Sequence, residues 1–114
     1  MHELSVTEAV LDIAQKHAKK ANARLVTDVY LVIGQLSSIV DDSVQFYWDA
    51  LTEGTLCQGS NLHFTRIAAT LKCNACKQEY TLNDQITPCP NCGGINITIV
   101  TGEEFYIDSI EIET

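Results

Sequence analysis

The pattern of apolar and polar positions predicts a helix near the start of the chain. From Ser5 to about Ala21, apolar residues recur at steps of three to four, the period of an amphipathic helix: Val6, Val10, Ile13, Ala14 and Ala18. Ser5 and Glu8 form an S-x-x-E pattern typical of a capping box, so we expect the helix to begin at Ser5. Asn22 suits the helix end, and His2 and Glu3 would lie outside the helix.

Three further segments have strand patterns. Residues 25–33, LVTDVYLVI, are rich in β-branched side chains and predict a largely buried strand that ends at Gly34. Residues 61–71 and residues 104–113 alternate loosely between apolar and polar positions, which predicts two more strands.

A second helix is predicted between the first two strands. It follows the loop QLSSIVDD, where Asp42 and Gln45 can form its cap, and Gly54 marks its end. Helical spacing is kept by four apolar and aromatic residues: Val44, Tyr47, Trp48 and Leu51.

The predicted order is α-β-α-β, an interruption at residues 72–101, and a last strand. The interruption contains both prolines, Gly93, Gly94 and four of the five cysteines, so it cannot form an apolar core and needs a metal or disulfides. We therefore predict an α+β fold, with two helices on a small three-stranded sheet and an inserted zinc domain with four cysteine ligands. Residues 1–71 and 102–114 would form the α/β domain, and residues 72–101 the zinc-binding domain.

Composition and charge restrict the function classes. A chain of 114 residues has room for one core with a small appendage. Its 15 acidic residues outnumber 7 Lys plus Arg, and the net charge of -8 opposes nucleic-acid binding. No apolar run approaches the roughly 20 residues of a membrane helix, and the first dozen residues do not resemble a secretory signal. We expect a cytoplasmic protein without membrane contact.

The four clustered cysteines form two C-x-x-C pairs, Cys73 with Cys76 and Cys89 with Cys92. Each pair offers two thiolates on one side of a tight turn, and two such turns complete the tetrahedral shell that zinc prefers. A redox C-x-x-C or two disulfides are the alternatives, but each pair lies among turn residues and does not open a helix. Since four protein ligands leave no open position, the zinc would be structural.

The amino terminus offers a second arrangement of metal ligands. A free α-amine, the backbone nitrogen of residue 2 and the imidazole of His2 can form adjacent chelate rings around Ni(II) or Cu(II), with Glu3 as a further ligand. On the dipeptide alone, a frayed terminus with no ligand role is the stronger interpretation.

Four segments together resemble the HypA/HybF family of hydrogenase maturation nickel chaperones: MHELS, IGQLSSIVDDSVQFYWDALTEGT, the cysteine quartet with CPNCGG, and FYIDSIEIE. The resemblance runs in order over nearly the whole chain. It implies a nickel-binding α/β domain with a zinc domain inserted before the last strand. It also implies delivery of nickel to the large subunit of [NiFe] hydrogenase, together with the GTPase HypB.

Residue by residue, the resemblance implies nickel ligands at His2, with the Met1 amine and a backbone nitrogen, and at Glu3. An acidic residue before the second helix lies near nickel in some members; Asp42 is the better match, and Asp41 competes with it. The alternative for Asp42 is a helix N-cap. Zinc would be bound by the four cysteines Cys73, Cys76, Cys89 and Cys92.

Other functional classes receive less support from the sequence. No phosphate-binding glycine loop or matched nucleophile and histidine is present, so we do not expect an enzyme. A zinc-ribbon adaptor that binds another protein is the main alternative. His17 and His63 are expected to be surface or packed histidines, and Cys57 a small buried hydrophobe. An exposed strand edge could pair two chains into a homodimer.

Overall fold

The computed structural model describes residues 3–82 and 86–114, so Met1 and His2 lie outside the described residues. Two helices and six strands follow in the order α1 (Glu3–Lys20), β1 (Leu25–Gly34), α2 (Asp41–Leu51), β2 (Asn61–Ile67), β3 (Thr70–Cys73), β4 (Glu79–Thr81), β5 (Ile97–Thr101) and β6 (Phe105–Glu113). The predicted α+β fold is confirmed, since β1, β2 and β6 form one three-stranded sheet and the cysteine segment precedes β6. No helix in the described part of the chain is long and apolar enough to cross a membrane.

The chain forms two compact units. The first extends to Val32 and continues with Ser38–Thr65 and Tyr106–Thr114, while the second contains Ile33–Ser37 and Arg66–Phe105. The domain boundaries predicted from the sequence, 1–71 with 102–114 and 72–101, stay a prediction.

In the first unit the two helices pack against each other, and the sheet has the order β2-β1-β6. The central strand β1 buries Val29 completely, and Ala14 of α1 is also fully buried. Trp48 of α2 is the largest buried side chain; its Nε1 donates a hydrogen bond of 2.9 Å to Ser60 Oγ, so its polar atom is satisfied. Cys57 is buried, as predicted, and burial raises the pKa of its thiol to about 11.

The predicted start of α1 is wrong, and its predicted end is confirmed. The helix begins at Glu3, where Thr7 Oγ1 donates to the Glu3 carbonyl, so Ser5 lies inside the first turn and is not the N-cap. At the other end, Asn22 has a left-handed φ of 56°. The N–H groups of Asn22 and Ala23 donate to the carbonyls of Lys19 and Ala18 at 3.1 and 2.9 Å, which is the Schellman pattern.

The predicted N-cap of α2 is also wrong. Val40 is the N-cap, in an extended conformation and without a side-chain cap hydrogen bond, and Asp41 and Asp42 occupy the first turn. The backbone N–H of Val40 instead donates to Glu3 Oε2 at 3.2 Å. Because the two aspartates lie in the first helical turn, their negative charges complement the helix dipole without capping it.

The second unit is built on an antiparallel sheet of order β4-β3-β5. Its buried cluster is small and consists of Ala69, Leu71 and Leu82, with three partly buried apolar side chains packed against it: Leu36, Tyr80 and Ile97. The segment predicted as one strand, 61–71, is two strands, β2 and β3, separated at residues 68–69.

The interruption between β2 and β3 near Ala69 lies where the backbone of Gly102 approaches closely. A Cβ at Gly102 would lie 2.7 Å from Ala69 Cα, and its φ of +117° is one that other residues rarely adopt. Gly34 also lies close to Gly102: a Cβ added at Gly34 would lie 2.1 Å from the Gly102 carbonyl oxygen. Backbone approach, not side-chain alternation, therefore determines the geometry at this point.

Candidate metal centre

The two C-x-x-C pairs fold into turns with the same backbone hydrogen bonds. In the first, the Lys77 N–H donates to the Cys73 carbonyl at 2.8 Å, and the Cys73 N–H donates to the Gln78 carbonyl at 2.9 Å. In the second, the Gly93 N–H donates to the Cys89 carbonyl at 2.8 Å, and the Cys89 N–H donates to the Gly94 carbonyl at 2.9 Å. Lys77 and Gly93 both have a left-handed φ, of 68° and 73°. The two C-x-x-C pairs are thus a structural repeat.

The four sulfurs lie together, all within 4.8 Å of one another. Cys73 Sγ lies 3.5 Å from Cys92 Sγ, and Cys76 Sγ lies 3.6 Å from Cys89 Sγ. Four sulfurs at about 2.3 Å from a central zinc would be about 3.8 Å apart in a regular tetrahedron. All four cysteines are free thiols, so the structure contains no disulfide between them. The spacing therefore fits a tetrahedral metal site of the kind zinc occupies.

Hydrogen bonds from the turns favour the thiolate form that a metal requires. The side-chain amide of Asn91, together with the Gln78 N–H, lowers the pKa of the Cys76 thiol to about 6, and the Cys76 N–H lowers the pKa of Cys73. The Gly94 N–H favours the Cys92 thiolate, but the neighbouring thiols outweigh it and raise the pKa of Cys92 to about 12. Four thiolates this close repel one another, and a divalent cation would remove that repulsion.

Asn91 is a neighbour of the cysteine quartet that the sequence patterns did not single out. It occupies the position before Cys92 inside the second C-x-x-C pair, and its amide reaches across to Cys76 in the first pair. An amide at a middle position of a C-x-x-C turn is a usable sequence signal, because it can hydrogen-bond a ligand sulfur and orient it.

We predict that substitutions at the two left-handed positions change stability in opposite directions. Gly93→Ala should lower the free energy of unfolding by about 1–2 kcal/mol, because an L-residue is strained at this φ. Nothing lies within 4 Å of a Cβ there, so the effect would be purely conformational. Lys77→Gly, at an exposed position, should raise it by a smaller amount. Denaturant unfolding of zinc-loaded protein measures both, and effects of the same sign would contradict the prediction.

The predicted nickel ligands are only partly within the described residues. Met1 and His2 lie outside them, and Glu3 is the first residue of α1. The Glu3 carboxylate contacts the Val40 N–H, so it lies at the start of α2, beside the helix turn that contains Asp41 and Asp42. Within residues 3–82 and 86–114, the cysteine quartet is the one group of three or more potential metal ligands close enough to share an ion.

The other candidate residues have structural roles. His63 stacks on Tyr30 with ring centroids 4.5 Å apart, and its Nε2 lies 2.8 Å from Asp28 Oδ1. That contact lowers the pKa of Asp28. The side-chain oxygen of Gln35 accepts a hydrogen bond of 2.8 Å from the Ala69 N–H. These are packing and hydrogen-bonding roles, as expected for His63.

The relatives of the chain match it over nearly its whole length. A hydrogenase maturation factor HypA from Caldanaerobacter subterraneus subsp. tengcongensis is 43% identical over 114 residues, covering 99% of this chain and 100% of that protein. A hydrogenase maturation factor HypA from Geotalea uraniireducens is 38% identical over 113 residues, covering 99% of this chain and 100% of that protein.

A solved structure agrees with these sequence matches. The solution structure of the Ni metallochaperone HypA from Helicobacter pylori superimposes with a TM-score of 0.69 at 25% identity, covering 99% of this chain and 98% of that one. The model of the family described as "Hydrogenase/urease nickel incorporation, metallochaperone, hypA" matches residues 1–112. The chain therefore belongs to the HypA family of nickel-incorporation metallochaperones.

Proposed function

We propose that the protein carries Ni(II) as cargo at its amino terminus and delivers it for maturation of the large subunit of [NiFe] hydrogenase. The observation that carries the proposal is the family match, which begins at residue 1 and so includes the Met-His-Glu start. The related proteins are named hydrogenase maturation factors, which supports hydrogenase as the destination.

The proposed nickel ligands are the Met1 amine, the backbone nitrogen and imidazole of His2, and the carboxylate of Glu3. Nitrogen-rich sites of this kind suit Ni(II) and select it over cations that prefer oxygen ligands. A carrier must also release its cargo, and a site at a chain terminus can exchange ligands without disturbing a packed core.

The contact between Glu3 and Val40 supports the choice of further ligands. It holds the first residue of α1 against the residue that precedes α2, and Asp41 and Asp42 follow directly. Asp42 is exposed and Asp41 is partly buried, so both carboxylates lie on the surface near Glu3. We propose Asp42 as the acidic residue that approaches nickel, with Asp41 competing for this role.

The cysteine quartet is proposed to bind a structural zinc ion. The spacing of its four sulfurs supports tetrahedral ligation, and four protein ligands leave no position for a substrate. We accordingly propose a carrier protein that does not act as an enzyme.

The proposed partners are the GTPase HypB and the hydrogenase large subunit, and the proposed location is the cytoplasm. Nucleic acid and membranes are not among the proposed partners. Pairing of two copies of the chain through a strand edge also stays a proposal.

Nickel titration of the untagged native-terminus protein tests this function. We expect the native protein to bind nickel stoichiometrically and His2→Ala to lose this binding, because the variant lacks the imidazole of the proposed chelate. His17→Ala is the matched control, since it also removes one histidine, from an exposed position on α1. Isothermal titration calorimetry and metal analysis measure both ions.

Zinc retained in all three proteins, with nickel lost only in His2→Ala, would support the proposal. Zinc in all three with no nickel binding by the native protein would contradict it and leave the zinc-ribbon adaptor as the function. Equal nickel binding by the native protein and His2→Ala would place the nickel site elsewhere in the chain.

A further inference from the structure

The outward face of α2 exposes a large aromatic side chain. Phe46 is 69% exposed, more than any other aromatic residue among the exposed apolar side chains of the described residues. Its ring makes an edge-on contact with Tyr47, with centroids 5.5 Å apart, but this contact leaves most of the ring in water. Val44 and Trp48, on the opposite face, are fully buried, so Phe46 is not needed for the packing of the helix.

Carboxylates surround Phe46 on the same face of the helix. Asp42 precedes it by four residues and Asp49 follows it by three, spacings that place side chains on one helix face, and Glu53 lies just beyond the C-cap of α2. All three are exposed. No Lys or Arg occurs between Arg24 and Arg66, so no positive charge from this part of the chain offsets them. Aromatic side chains are enriched at the centres of protein interfaces, and the rims of interfaces are polar, so this arrangement matches the anatomy of a docking surface.

We propose that this face, the Phe46 surface formed by Asp42, Phe46 and Asp49, docks a folded protein that has an apolar pocket bordered by Lys and Arg. The charges decide the chemistry of the partner, because an acidic or uncharged protein would have to bring carboxylates together or leave them unpaired. An aromatic side chain that enters a pocket supplies most of the affinity in interfaces of this kind.

The inference rests on the proposed function and identifies how the carrier meets the protein with which it exchanges nickel. Asp42 is the residue of the surface nearest the start of α2, where Glu3 contacts Val40. A partner docked on Phe46 would therefore lie beside the proposed nickel ligands, within one or two turns of α2. Exchange of the ion would then need no movement of the carrier's core.

Binding of two purified proteins, HypB and the immature hydrogenase large subunit from the same organism, tests the proposal by calorimetry. Phe46→Ala should weaken binding to at least one of them by about tenfold or more, as expected when a central aromatic anchor is truncated. Tyr106→Ala is the matched control, because Tyr106 is another aromatic residue of the first unit and is 51% exposed. Asp49→Lys should weaken the same complex and reduce its dependence on salt concentration.

The inference is overturned if Phe46→Ala binds both proteins as tightly as the wild type, or if Tyr106→Ala weakens binding equally. It is also overturned if the wild-type protein binds neither. Nickel titration of Phe46→Ala separates this result from a failure of the proposed function, since the variant should retain native nickel and zinc binding. Loss of partner binding with unchanged nickel and zinc binding supports the Phe46 surface.

Discussion

Cys89→Ser is expected to unfold the second unit of the chain while the first unit keeps its structure. The reason is the small size of the core in the second unit, where only Ala69, Leu71 and Leu82 form the buried cluster among the described residues. Burial of a large aliphatic side chain contributes about 1.5–3 kcal/mol, whereas ordering costs about 1–2 kcal/mol for the backbone of each residue. Zinc binding by small cysteine-rich domains contributes about 10–16 kcal/mol, so the metal would be the largest stabilising contribution in this unit.

Amide hydrogen exchange measures the prediction in both units at once. In Cys89→Ser, protection should be lost in β3 and β5, which pair from Thr70 to Cys73, and retained in the central strand β1 of the other sheet. Cys57→Ala is the matched control, because it removes the one cysteine outside the quartet and should leave the zinc content unchanged. Unchanged protection of β3 and β5 in a zinc-free Cys89→Ser protein would show that the metal does not hold this unit together.

The parts of the fold that the sequence predicted are those fixed by local patterns. The period of apolar residues located α1 and α2, and β-branched residues located β1 to within a residue of its observed end. The helix end at Asn22 was predicted from its residue type, and Asn22 adopts a left-handed φ there, which asparagine tolerates better than most side chains do. The four cysteines lie together as expected, and each C-x-x-C pair forms its turn through hydrogen bonds between residues close in sequence.

The errors arose where a distant residue replaced a local signal. Ser5 is a residue type that often caps helices, yet α1 begins two residues earlier at Glu3. The Glu3 carboxylate accepts a hydrogen bond from the Val40 N–H. Asp42 likewise has the type of an N-cap, but the α2 cap is Val40. Contacts between residues 37 positions apart leave no periodic pattern in the sequence, so capping rules alone could not identify them.

In the candidate metal site, too, local patterns were predicted and contacts between separate turns were not. Residue type and spacing identified the cysteine quartet, but not the Asn91 amide that reaches Cys76, because that contact depends on how the two turns face each other. Phe46 was absent from the predicted helix pattern because it does not belong to the apolar face. An exposed aromatic residue can be recognised as unusual only when the structure shows that nothing covers it.

Blocking the amine of Met1 is expected to abolish nickel binding without affecting zinc or the fold. In the proposed site the α-amine is one of the nitrogen ligands, and acylation turns it into an amide, which is not basic and would have to lose a proton before it could bind nickel. A removable fusion partner at the amino terminus gives the comparison within one preparation, provided that its protease leaves Met1 as the first residue. Nickel titration before and after cleavage measures the effect, and zinc analysis of both samples is the control.

The fusion and His2→Ala each remove a different nitrogen ligand of the proposed chelate. That variant removes the imidazole and keeps the amine, whereas the fusion keeps the imidazole and removes the amine; a chelate that needs both ligands must fail in each case. Undiminished nickel affinity of the uncleaved fusion would show that the Met1 amine is not a nickel ligand. A fusion partner also adds bulk at the amino terminus, so the Met1 role requires that acetylation of the amine alone has the same effect.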